Sequence, residues 1–131
     1  MTEITSPTFG LILSGASGRQ FVLNTSGAIT GADAADHVSS QAAGDITVTD
    51  DTSPATIEIL ADAISTSGGL TVNQVLCSYA GGAQTQCDGS PLVATSSASA
   101  SLKIGVDVTT SQVHNGGDSA TVSMDINVTY Q

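Results

Sequence analysis

The chain of 131 residues has no Trp, 2 Phe, 2 Tyr and only 2 basic side chains, Arg19 and Lys103. So few aromatic rings leave few platforms on which a sugar could stack, which counts against a carbohydrate-binding role. The lack of cations, set against 12 acidic side chains and a formal net charge of -10, gives a surface that repels phosphate backbones and anionic lipid. Nucleic-acid binding and docking on acidic membranes are therefore set aside. With so few cations, ion pairs add little, and the acidic surface reads as a solubility device. No run of about 18 apolar residues occurs, so no membrane insertion is expected. Helix formers with long side chains are almost absent as well. Thr, Ser, Ala, Val and Gly dominate instead. That mix favours pleated structure, because Ser and Thr compete with helical backbone bonds while β-branched residues fit a half-buried sheet.

At this length the chain reads as one domain, residues 1–131, able to bury a core without metal staples. Met1-Thr2-Glu3-Ile4 lacks both the basic and the apolar stretch of a secretion signal, so the chain is expected to be cytoplasmic or the trimmed form of a longer precursor. The two cysteines help to choose. Cys77 and Cys87 bracket a turn-rich stretch with Gly81-Gly82 at its centre, suited to bring two strand ends within disulfide distance. Their spacing does not resemble a zinc site, and His37 and His114 lie far off in sequence. A hairpin disulfide is expected, adding on the order of 2–3 kcal/mol by restricting the unfolded chain. A persistent disulfide implies an oxidising compartment, hence export to the extracellular space or cell surface. The alternative is a cytosolic protein with two buried, reduced thiols.

Alternating segments recur along the chain with turn chemistry between them. The first is Phe9-Gly10-Leu11-Ile12-Leu13, followed by Gln20-Phe21-Val22-Leu23. Residues 28–43 read as loop, with residues 31–37 the one candidate for a helical turn. Asp45-Ile46-Thr47-Val48-Thr49 and Ala55-Thr56-Ile57-Glu58-Ile59 alternate about a turn at residues 50–54 and predict a hairpin. Residues 70–75 lead into the cysteine loop, and 92–94 form a short strand. Residues 101–109 alternate strictly, with Leu102, Ile104, Val106 and Val108 on one face. Gly105 interrupts the opposite row as a bulge, a close backbone approach or, more commonly, a simply tolerated Gly. The closing stretch puts Ala120, Val122, Met124, Ile126, Val128 and Tyr130 on one face, a dry row that another sheet or another chain must cover. Seven to nine strands without helix predict an all-β fold, an immunoglobulin-like antiparallel sandwich of two sheets.

No constellation of residues points to chemistry. There is no Gly-x-Ser-x-Gly elbow, no phosphate loop and no dinucleotide fingerprint. Asp50-Asp51 is the only adjacent carboxylate pair, but neighbours on an extended chain face opposite ways. Residues 31–36 and 45–51 offer oxygen ligands without EF-hand spacing, and solvated turns are the preferred reading over calcium. No catalytic residue, metal ligand or cofactor is assigned, and the chain is read as a non-enzyme. Asn24-Thr25-Ser26 and Asn127-Val128-Thr129 match glycan acceptor sites, a pattern common by chance.

The order of parts resembles a known group. Phe9-Gly10-Leu11-Ile12 followed by a Ser-Gly turn and Phe21-Val22-Leu23, then Ser67-Gly68-Gly69-Leu70-Thr71-Val72, then the closing strand ending in Tyr130, resemble a bacterial family of small secreted proteins of unknown function. That family is similar to archaic chaperone-usher pilins and spore-coat-U-type proteins. The resemblance implies an extracellular structural subunit with an incomplete sandwich. Its groove is filled by the N-terminal segment of the next copy, giving a homopolymer delivered by a periplasmic chaperone and usher. On this reading Ile4 and Phe9 belong to the donor segment, and Val122, Met124, Ile126, Val128 and Tyr130 to the subunit-contacting strand. Such pilins carry an alternating apolar extension before the Phe-Gly strand, whereas residues 1–8 here hold Ile4 as their one large aliphatic residue and are interrupted by Pro7. The donor is then trimmed, or minimal, or the protein does not polymerise this way. Two other classes stand beside it, a phage or virion structural or decoration protein and a secreted carbohydrate-binding sandwich.

Overall fold

The strictest alternation in the sequence forms the middle strand of the fold. A computed structural model of the chain describes residues 2–5, 11–12, 15–34, 37–38, 41–51, 54–115, 118 and 120–131. In chain order its strands are β1 (Thr2–Thr5), β2 (Leu11–Ile12), β3 (Gln20–Leu23), β4 (Ile29–Thr30), β5 (His37–Val38) and β6 (Gly44–Thr49). They continue as β7 (Thr56–Ser67), β8 (Leu70–Tyr79), β9 (Thr85–Gln86), β10 (Leu92–Thr95), β11 (Ser99–Thr110) and β12 (Thr121–Tyr130). The protein is an all-β antiparallel sandwich. One sheet runs β1-β6-β11-β3-β4, with β8 on the other side of β11 and β9 beyond it. The second sheet is β10-β7-β12, and β2 pairs with β5 apart from both. Among the described residues no helix is long and apolar enough to cross a membrane.

Strand β11 makes three partnerships. Along one edge it pairs with β8 from Leu102↔Tyr79 to Thr110↔Leu70. Along the other it pairs first with β6, from Ser99↔Thr49 to Ile104↔Gly44, and then with β3, from Val106↔Leu23 to Thr109↔Gln20. Strands β6 and β3 thus meet end to end, and Gly105 sits at the junction. A Cβ there would lie 2.0 Å from the carbonyl oxygen of Leu23 and 3.0 Å from the carbonyl carbon of Asn24. The glycine is required by a close approach of backbone, not merely tolerated.

The inward row of β11, Leu102, Ile104, Val106 and Val108, is buried as expected and packs with Ile57, Ile59 and Ala61 of β7 and Val75 and Cys77 of β8. Each such aliphatic side chain contributes roughly 1.5–3 kcal/mol relative to remaining in water. Two bulges let long strands keep one face dry although their sequence changes parity. In β7 the inward residues Ile57, Ile59 and Ala61 give way to Ile64, and Ala63 between them has φ 48°. In β8 the register jumps from Gln74↔Asp107 to Val72↔Val108, leaving Asn73 as the extra residue. Its amide donates to Asp107 at 2.9 Å. The β7–β8 turn is Gly68-Gly69, both at φ 78°, left-handed backbone that glycine adopts without strain, and there the chain passes from the smaller sheet to the larger.

The hairpin expected between residues 45–49 and 55–59 does not form. Strand β6 belongs to the larger sheet and β7 to the smaller, so the chain crosses the sandwich between them. Asp50 holds that corner: it is buried, its carboxylate accepts from the Ser96 hydroxyl, and the same hydroxyl accepts from the Ala55 amide at 2.8 Å. Alternation gave each segment a dry face without naming its neighbour. Residues 31–37 contain one tight turn, closed by Ala34 N–H to Gly31 O at 3.3 Å, with Ala35 and Asp36 outside the described residues. Of the first expected strand, Leu11 and Ile12 form β2, while Phe9, Gly10 and Leu13 lie outside the described residues.

Replacing Gly105 by Ala forces a methyl group into the Leu23 backbone, and β3 must shift away from β11. The expected loss is about 3 kcal/mol, a fall in Tm of roughly 10 °C by thermal denaturation. A Tm within about 2 °C of wild type would show that the junction is slack.

Candidate functional site

Most polar groups that could carry chemistry are used up inside the fold. Asp33 accepts from the Arg19 guanidinium at 3.1 Å and from the Gln20 amide at 2.8 Å. Asp45 accepts from Lys103 and Ser101, and Asp107 from the side-chain amides of Gln20 and Asn73. Asp50 is buried and Asp51 exposed, so the adjacent pair does not converge. Among the described residues no group of three His, Cys, Asp or Glu is placed to hold a metal ion. His114 is buried, with Nε2 2.7 Å from the Gly68 carbonyl oxygen, and its backbone forms a reciprocal bridge with Gly15. It ties the β7–β8 turn to the segment before β3. Asn24 donates to Ala28 O and Thr30 Oγ1 and accepts from Gln84, so its amide is engaged rather than presented. Cys77 and Cys87 are joined in a disulfide, Cα–Cα 5.8 Å, at the β8–β9 hairpin, and both are fully buried. This bond is compatible with an oxidising, extracellular location.

What remains is the edge of the smaller sheet. Strand β12 pairs with β7 from Thr121↔Ser67 to Tyr130↔Ile57, and among the described residues no strand pairs with its other edge. Ala120, Val122, Met124, Ile126 and Val128 point at the core but are only half-buried. The alternation is as expected; its full burial is not. Tyr130 is 47 % exposed and reaches across the sandwich to donate to Thr49 O at 2.8 Å. On the opposite flank, Ala61 N–H donates to Cys87 O at 2.8 Å and ties β7 to the β8–β9 side. The open edge of β12 therefore lies on the β6 side of the sandwich.

Backbone polarity along this edge follows from one bond. Gln131 N–H donates to Thr56 O at 2.8 Å, and in an antiparallel ladder alternate residues turn both their polar groups to the same side. Asn127, Thr129 and Gln131 therefore bond toward β7, while Ile126, Val128 and Tyr130 present N–H and C=O to the open side. The residues with apolar inward side chains are the ones whose backbone is free to receive another strand.

Sequence reasoning assigned Ile4 and Phe9 to a donor segment. Ile4 lies within β1, which pairs with β6 of the same chain through Thr2↔Thr47, Glu3↔Ile46 and Thr5↔Asp45, and Phe9 lies outside the described residues. Sequence reasoning also missed a cleft of about 340 Å³ where β7 and β8 part into different sheets, lined by Ile64, Thr66, Leu70, Thr71, Val72 and Asp88. Its signal was the parity change at the two bulges. Comparison with protein-family models, with curated proteins and with solved structures returned no match to this chain.

Two measurements check this geometry. Amide exchange in a dilute, monomeric sample is expected to be fast at Ile126, Val128 and Tyr130 and slow at Asn127, Thr129 and Gln131; uniform protection would mean the edge is covered. The hydrogen bond from Lys103, with that from Ser101, holds the Asp45 carboxyl below the usual carboxylate range. A depressed carboxyl stabilises the fold above the unfolded-state value near 4 and loses that contribution as pH falls through its lower folded value. Lys103→Met is accordingly expected to flatten the fall in Tm below about pH 4. An acid limb unchanged by the substitution would exclude this pair as a contributor.

Proposed function

We propose that the protein is an exported structural subunit, without enzymatic activity, that assembles by adding a strand of one copy to the open edge of β12 in the next. The observation that carries this reading is the half-buried row Val122, Met124, Ile126 and Val128 beside an edge that, among the described residues, no strand pairs with. Extended open edges of this kind template strand addition: backbone bonds give affinity and alternate side chains fill the dry groove. The disulfide supports an oxidising destination. The likeness to chaperone-usher pilins supplies the donor, the N-terminal segment with Ile4 and Phe9 of a neighbouring copy. To serve, β1 has to leave β6 of its own chain. A subunit with such an edge needs cover before assembly, which is what a periplasmic chaperone and usher would provide.

The edge can be blocked without disturbing β7. Val128 directs its N–H to the open side, where proline is tolerated on an edge strand but cannot donate. Val128→Pro is expected to keep a folded monomer and to abolish concentration-dependent assembly in analytical ultracentrifugation. Assembly at wild-type strength by this variant would place the contact elsewhere and overturn the reading.

A further inference from the structure

An open, long strand is a hazard that folded proteins usually blunt with Lys, Pro, a short length or an inward charge. Strand β12, Thr121–Tyr130, runs for 10 residues and contains no Lys, Arg or Pro; Asp125 is its only charge. Asp125 lies directly opposite Asp62 of β7, and both are exposed on the solvent face. Like charges at directly opposed positions destabilise a ladder. The position is fixed by the β7 bulge, since Asp62 Oδ1 accepts from the amide of Ala63, the residue at φ 48°. Asp125 therefore stands on the edge strand itself and Asp62 one strand further in, beside an edge that no described strand pairs with.

We propose that the Asp62–Asp125 pair is an electrostatic gate on assembly, repelling an incoming strand at low ionic strength and admitting it once salt screens the pair. This rests on the strand-addition reading above and names what regulates it. The approaching partner is another copy with formal net charge -10, so net charge opposes its approach. Arg19 and Lys103 are both bonded to carboxylates, Asp33 and Asp45, which limits what they offer to a partner. Exposed charges are screened beyond a Debye length of about 10 Å at 0.1 M salt and about 3 Å at 1 M. Sodium chloride alone should therefore release the gate.

The test compares wild type, D62N/D125N and D51N/D118N by sedimentation velocity at about 20 mM and about 500 mM sodium chloride, on either side of the screening range. Asp51 and Asp118 are exposed, so the second double variant changes net charge equally without touching the pair. The side-chain oxygen that Asp62→Asn retains can still accept from the Ala63 amide, which preserves the bulge. Wild type is expected to associate at least roughly tenfold more tightly in high salt, and D62N/D125N to associate about tenfold more tightly than wild type in low salt, converging with it in high salt. D51N/D118N should follow wild type to within about threefold. Association that is independent of salt, or strengthened equally by both double variants, would overturn the gate while leaving strand addition intact. No association by any of the three proteins at either salt concentration would overturn strand addition itself, and the gate with it.

Discussion

Strand β11 sets the geometry of everything around it. It has partners on both edges along most of its length, and one of those edges is shared by two strands that meet end to end at Gly105. The close approach of Gly105 to the Leu23 carbonyl lets β3 and β6 follow one another with only Gly105 between their two ladders. Above this strand the buried rows of β7 and β11 interdigitate, and the disulfide at β8–β9 fixes the flank where Ala61 bonds to Cys87. The two sheets are consequently unequal. Among the described residues the smaller has three strands, and the dry face of its edge strand β12 is only partly covered.

That inequality is the source of the functional reading. The carboxylates of Asp33, Asp45, Asp50 and Asp107 are each tied to a neighbour within the fold. The unsatisfied element is instead a surface of backbone and aliphatic side chains. Such a surface recognises an extended chain, with little demand on its sequence beyond alternation. On the proposed reading the acidic excess opposes self-contact, and the Asp62–Asp125 pair concentrates that opposition at the edge.

The parts of the fold that were legible in the sequence are those where period two runs unbroken. Leu102 to Val108 and Val122 to Val128 gave their own strands and faces, and the cysteine spacing gave the hairpin disulfide. Residues 60–67 were not legible as strand because the bulge at Ala63 moves the inward positions from odd to even, so the alternation stops while the strand continues. Partnership was not legible either: alternation at 45–49 and 55–59 is the same for a hairpin as for two strands in opposite sheets, and only the buried bond between Asp50 and Ser96 distinguishes them. The need for Gly105 depends on where β3 ends, far away in the chain. The dry row of β12 was readable, but its half coverage was not, because the number of strands in the facing sheet is a property of the whole fold.

The most direct test of the central claim is a high-resolution structure of the protein as it assembles at high salt. An extended segment of a neighbouring copy is expected there, bonded to Ile126, Val128 and Tyr130, with its inward side chains filling the space beside Met124 and Val128. An assembly whose subunits meet through other surfaces, with the edge of β12 still facing solvent, would contradict it.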